Sequence, residues 1–178
     1  MTSRLWTALL VAACITAASA EAVAVPSDAT FPRVRPQSAL VEQLLEEGEQ
    51  NSPTFARLLT EIERSDVIVY IEVRTDPAFD VGGQLTFMTF QGDQRFLHVR
   101  LDAGTSVRGA VFARQIDLIA LLAHELQHAL EVADAEDVQD IESFEALYQT
   151  IGMSRGRHRF ETQAARDTGA QVESELRR

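Results

Sequence analysis

The sequence predicts an α+β domain: a small, mostly antiparallel three-stranded sheet packed against one long buried helix, with further helices flanking it at the N- and C-terminal sides. Three observations predict it. Three β-branched and aromatic runs lie close together between residues 67 and 101. Apolar residues recur at helical spacing on either side of them. One helical segment is apolar around most of its circumference, which marks a central helix rather than a surface one.

The elements follow in order. Leu40, Val41, Leu44 and Leu45 give a helix from Ser38 to Glu47, and Gly48 is expected to end it. Ser52-Pro53 reads as an N-cap followed by a proline at the first helical position. Phe55, Leu58, Leu59 and Ile62 form the stripe of that second helix. Val67–Val73 is a strand, residues 75–83 a turn-rich loop and Leu85–Phe90 a second strand. Gly92-Asp93-Gln94 turns a hairpin into a third strand, Phe96–Leu101. After a loop at 102–109 the long helix runs from Val111 to Ala133. Another spans Asp140–Ile151 with Gly152 as C-cap. Past a basic loop at 153–158, Phe160–Leu176 closes the chain as a helix bent near Gly169.

Composition narrows the function. The chain has 178 residues, 16 basic against 27 acidic, and a net charge of −11; every basic residue is Arg. An acidic balance argues against nucleic acid, because phosphate binding needs a positive footprint. At 46% apolar residues the chain is globular rather than disordered.

Residues 1–20 read as a secretory signal peptide. Arg4 supplies the positive start, Leu5–Ala13 the apolar run and Ala18-Ser19-Ala20 the cleavage site. The run is too short to span a bilayer, so no transmembrane span is expected in the mature chain. The expected location is periplasmic or extracellular. A lipid anchor at Cys14, preceded by Val11-Ala12-Ala13, is the secondary reading. Residues 21–36, with Pro26, Pro32 and Pro36, read as a linker, and 37–178 as a single domain. Cys14 is the only cysteine, so the mature chain has no disulfide and no thiolate ligand.

His124-Glu125-Leu126-Gln127-His128 interrupts the long apolar helix with polar groups. Residues four apart on a helix point about 40° apart with about 6 Å of rise. Two imidazoles so placed can converge on one ion at about 2.0–2.1 Å. Glu125 is turned by about 100° from His124 and lies beside such an ion rather than on it. Zinc lowers the pKa of a water it holds to about 7, and Glu125 would take the proton as general base. Left unpaired in the core, the three groups would be costly, and a shared metal satisfies them together.

This HExxH segment resembles the active-site helix of the zincin metallopeptidases. With no third His soon after the motif, it is similar to the gluzincin branch, which takes a glutamate from a later helix. The resemblance implies a secreted zinc metallopeptidase with one catalytic zinc and an extended peptide or protein substrate laid beside the outer strand. A catalytically silent zinc-binding or interaction protein of the same fold is the alternative.

A catalytic zinc needs three protein ligands and an open position. With no cysteine available and histidine scarce, the third ligand is expected to be a carboxylate. Glu131 shares the angular face of His124 but lies about 10.5 Å further along the axis. Asp117, seven residues before His124, fails in the same way. Either is a candidate to orient a histidine through its free ring nitrogen. Glu161 opens a Glu-x-x-Ala run similar to the third-ligand helix of gluzincins, and Ala164 and Ala165 would let that helix come close. Glu145 is the runner-up. Tyr148 and His158 are candidates to stabilise the tetrahedral intermediate, as a His or Tyr does in related peptidases. His98 shares a strand face with Phe96 and Arg100 and is expected to pack rather than ligate.

Overall fold

The computed structural model describes residues 33–74, 82–102, 111–154 and 160–178. The expected signal peptide, Cys14, most of the expected linker and His158 lie outside the described residues.

The fold is α+β, with a four-stranded mixed sheet rather than the expected three-stranded, mostly antiparallel one. A short strand, β1 (Val34–Pro36), pairs in parallel with β2 (Val67–Arg74). Helices α1 (Ala39–Asn51) and α2 (Pro53–Arg64) form the crossover between them. Next come β3 (Gly83–Gln91) and β4 (Gln94–Asp102), in sheet order β1-β2-β4-β3.

The expected hairpin is present, with Gly92 at a φ of 61° in its turn. What differs is its docking. Strand β4, not β3, lies beside β2, and the two run parallel from Val67↔Arg95 to Arg74↔Asp102. Burial explains the order. Val67, Ile68 and Val69 of β2 are buried in succession, as an interior parallel strand requires. Met88 and Phe90 of β3 are exposed, which suits an edge. β1 comprises the end of the expected linker. Pro36 hid it, and proline is tolerated there because β1 is the other edge.

The motif helix α3 (Val111–Asp134) packs on the sheet face carrying Val69, Ile71, Leu97, Val99 and Leu101. It buries residues all round, including Ile119, Leu122, Ala123, Leu126 and Ala129. Phe96, His98 and Arg100 lie on the opposite sheet face, half-buried. Helix α4 (Ile141–Ile151) starts at a capping box between Asp140 and Ser143 and ends at Gly152.

Three helix expectations need correction. Gly48 does not end α1, which continues to Asn51. A Cβ there would meet the Phe55 ring at 2.8 Å and Ile119 at 3.0 Å, so the glycine lets α1 close on α2 and α3. The last segment is not helical from its start. Phe160–Glu161 form β6, paired antiparallel with β5 (Met153–Ser154), and α5 is Gln163–Leu176. That helix runs unbroken through Gly169, where a Cβ would lie 3.1 Å from the Ala120 carbonyl oxygen of α3. Ala165 and Gly169 are buried and give the close approach, whereas Ala164 is exposed.

Glu175 of α5 caps α2 from outside. Its carboxylate accepts from Ser52 Oγ at 2.5 Å, from the Thr54 amide at 3.1 Å and from Thr54 Oγ1 at 2.8 Å. Burial pushes the carboxyl up, but these bonds and one from Gln171 overcome it and hold the pKa at about 2. A folded-state pKa below the unfolded one adds stability above the ordinary carboxylate range and loses it as pH falls. The loss is therefore expected between about pH 4.5 and 2. Glu175→Gln should cost about 1–2 kcal/mol at neutral pH and flatten that acid limb in denaturant titrations.

Candidate metal centre

His124 and His128 lie one turn apart in the middle of α3, and their ring centroids are 4.9 Å apart. Glu161 arrives from β6. Its Oε1 is 3.3 Å from His124 Nε2 and 3.9 Å from His128 Nε2. One donor atom from each of the three residues lies within 4.8 Å of the others. Glu161 was expected on a helix; it sits instead one residue ahead of Thr162, the N-cap of α5.

The donor set fits a divalent metal of the zinc type. Glu161 Oε1 is buried and, among the described residues, has no hydrogen-bond partner; its nearest polar neighbours are the Nε2 atoms of the two imidazoles. A tetrahedral zinc spaces its ligand atoms about 3.3–3.4 Å apart, which matches the 3.3 Å from Glu161 to His124 and is shorter than the 3.9 Å to His128. Two imidazoles with one carboxylate, and no thiolate, match the ligand chemistry of catalytic zinc.

The tautomer of His128 is set by its neighbour. Its Nδ1 is 2.8 Å from Glu131 Oε2, so a proton sits on Nδ1 and Nε2 is the ring nitrogen turned toward Glu161. Burial works against a charged His128, but the Glu131 hydrogen bond and the nearby charges of Glu125, Glu131 and Glu161 together outweigh it and raise its pKa. Burial, aided by the nearby His128, lowers that of His124. The Tyr148 hydroxyl donates to the His128 carbonyl at 2.9 Å, and its ring meets the His128 ring edge-on. Burial raises the Tyr148 hydroxyl well above its ordinary pKa. That hydroxyl is therefore engaged in bracing the helix rather than held free for an oxyanion.

Glu125 is only 5% exposed and points to the start of edge strand β3. Burial pushes its carboxyl up to about 7, and Glu161 adds to the rise; His128 and a hydrogen bond from the Leu85 backbone oppose it. A Cβ at Gly83 would lie 2.4 Å from Glu125 Oε1, so the carboxylate occupies space that only glycine leaves.

Two expected residues are elsewhere. Asp117 pairs with Arg177 at 2.9 Å and does not reach a motif histidine. Glu145 is exposed on α4 and is not among the three converging residues. His98 Nε2 is 3.6 Å from Glu72, on the sheet face away from α3. Gly83, Leu85 and Thr162 were missed as site residues. A Thr before a helical run was a legible N-cap, while the reach of Glu125 to β3 is purely tertiary.

Comparison of the chain with protein-family models, with curated proteins and with solved structures returned no match.

Proposed function

We propose that the protein is an exported zinc-dependent peptidase that hydrolyses peptides bound in extended form. One observation carries the reading: a buried carboxylate oxygen of Glu161, without a hydrogen-bond partner among the described residues, faces the Nε2 atoms of both motif histidines. His124, His128 and Glu161 would hold the ion. Zinc bound there would supply Lewis acidity, polarising the scissile carbonyl and acidifying water.

Everything else falls to the chain. Glu125 takes the proton of the attacking water and can return it to the leaving amine. Burial against β3 makes it a stronger base than an exposed glutamate. Glu131 orients His128. The outer edge of β3 pairs with no other strand among the described residues, so its backbone is open to an extended peptide. Since Glu125 packs at the start of the same strand, a peptide added there would pass the general base. Export rests on reading the sequence of residues 1–20 as a leader.

Metal content tests the centre. Wild-type protein is expected to bind one zinc per chain. His124→Ala, His128→Ala and Glu161→Ala should each weaken binding at least about tenfold, while Glu145→Ala should not. Wild-type protein that takes up no zinc would overturn the reading.

A further inference from the structure

The centre is assembled from two parts of the chain. Its histidines come from α3, and Glu161 comes from β6, 33 residues after His128. Packing of α5 on α3 brings the two parts together, and a hydrogen-bonded side chain links them at the site itself.

Glu131 has one oxygen on each part. Oε2 meets His128 Nδ1 at 2.8 Å, and Oε1 accepts from Thr162 Oγ1 at 2.6 Å. Thr162 directly follows Glu161 and is 4% exposed. Its hydroxyl has a second duty, accepting the Ala165 amide at 3.1 Å as the N-cap of α5. The bonds to His128 and Thr162 can be assigned their donors. The Ala165 N–H can only donate, so the single hydroxyl proton goes to Glu131. A carboxylate oxygen can only accept from a ring N–H, so His128 carries a proton on Nδ1 and turns Nε2 toward Glu161.

We propose that Glu131 is a positioning residue that preassembles the metal centre, orienting His128 with one carboxylate oxygen and fixing Glu161 through the Thr162 hydroxyl with the other. The proposal rests on the zinc reading. It adds that the three donors stand in place before the ion arrives. Remove Glu131 and both tautomers of His128 become accessible, while the Thr162 hydroxyl loses its acceptor. Remove the Thr162 hydroxyl and Glu161 loses its hydrogen-bonded link to Glu131, leaving only the packing of α5 and the Thr168–Gln127 bond to hold it near α3.

Zinc affinity by chelator competition, and the visible spectrum of the cobalt-loaded protein, test this on the full chain. Glu131→Ala is expected to weaken zinc binding about 10–100-fold and to change the cobalt spectrum. Thr162→Val should weaken it about threefold or more, and Thr162→Ser should restore it. Because the residues act in one chain of bonds, the double variant should bind about as well as Glu131→Ala alone. Glu131→Gln keeps the shape and one acceptor oxygen; it should fall between wild type and Glu131→Ala, and it stands in if the alanine variant does not fold.

If Thr162 served only as a helix cap, Thr162→Val would lower the melting temperature and leave zinc affinity unchanged. That result, or unchanged affinity in folded Glu131 variants, overturns this proposal alone. Independent, additive losses in the double variant overturn the coupling and with it the proposal. Wild-type protein that binds no zinc overturns this proposal together with the zinc reading.

Discussion

Glu125→Gln is expected to leave zinc bound and to remove peptide hydrolysis. A positioned general base contributes about 10²–10⁴ in rate, so turnover of a mixed pool of quenched fluorescent peptides should fall by at least about 10². The substitution preserves shape in a slot where a Cβ at Gly83 would already collide with the carboxylate. It also replaces a carboxyl that burial has pushed up to about 7 with a neutral amide. Losing a charge that the site already disfavours is expected to leave the fold intact, with a melting temperature close to wild type. His124, His128 and Glu161 are untouched, so metal content separates this outcome from collapse of the centre. Hydrolysis at the wild-type rate by the Gln variant would sink the role given to Glu125. Zinc-loaded wild-type protein that cleaves nothing in the pool would leave a binding protein built on the same centre.

The parts of this site that were legible in the sequence are those governed by local geometry. The i, i+4 spacing of His124 and His128 brings their rings within 4.9 Å because helix rise and twist leave little choice. Glu131 was legible as a partner of histidine, too far along the axis to share an ion with His124, and it contacts His128 Nδ1. Tertiary placement was less legible. Glu161 joins the two histidines, but from a two-residue strand whose pairing with Met153–Ser154 no periodicity reveals. Asp117 has the same seven-residue spacing from His124 as Glu131, on the other side, yet it turns to Arg177. The sheet followed the same division. Its hairpin announced itself through Gly92, whereas the parallel pairing of β2 with β4 brings together residues separated by the whole of β3. The long apolar run of β2 carried a hint of that interior position, because strands buried on both faces do not alternate.

Replacing Arg95 by Leu is expected to cost about 3–5 kcal/mol of stability, the largest loss of any single substitution considered for this fold. Arg95 opens β4 and is 3% exposed. Its Nε and Nη2 grip Asp66 at 2.7 and 2.5 Å. Nη1 donates to the carbonyls of Val132 at 2.5 Å and Ala135 at 2.6 Å, and Nη2 to Ala133 at 2.9 Å. Those carbonyls belong to the end of α3, whose last turn carries no basic residue of its own. Arg95 thus supplies from the sheet both the donors and the positive charge that a helix C-terminus attracts. Leucine would strip the Arg95 donors from all three carbonyls, leaving those of Val132 and Ala135 only their backbone bonds from Ala135 and Val138, and would leave Asp66 without its counterion. Lysine is expected to rescue little, since one ammonium cannot serve a carboxylate and three diverging carbonyls at once. Asp66→Ala should cost less, because Asp66 is 37% exposed and the carbonyl contacts survive its loss. For a chain of this length the Arg95→Leu loss corresponds to a fall of roughly 6–20 °C in melting temperature. Saturating zinc at 100 times its Kd should return about 2.7 kcal/mol to wild type and variant alike, since Arg95 anchors the helix without touching the metal ligands. A destabilisation under about 1 kcal/mol would mean that the end of α3 finds other donors, and that the motif helix owes its position to the core packing of Ile119, Leu122 and Leu126 instead.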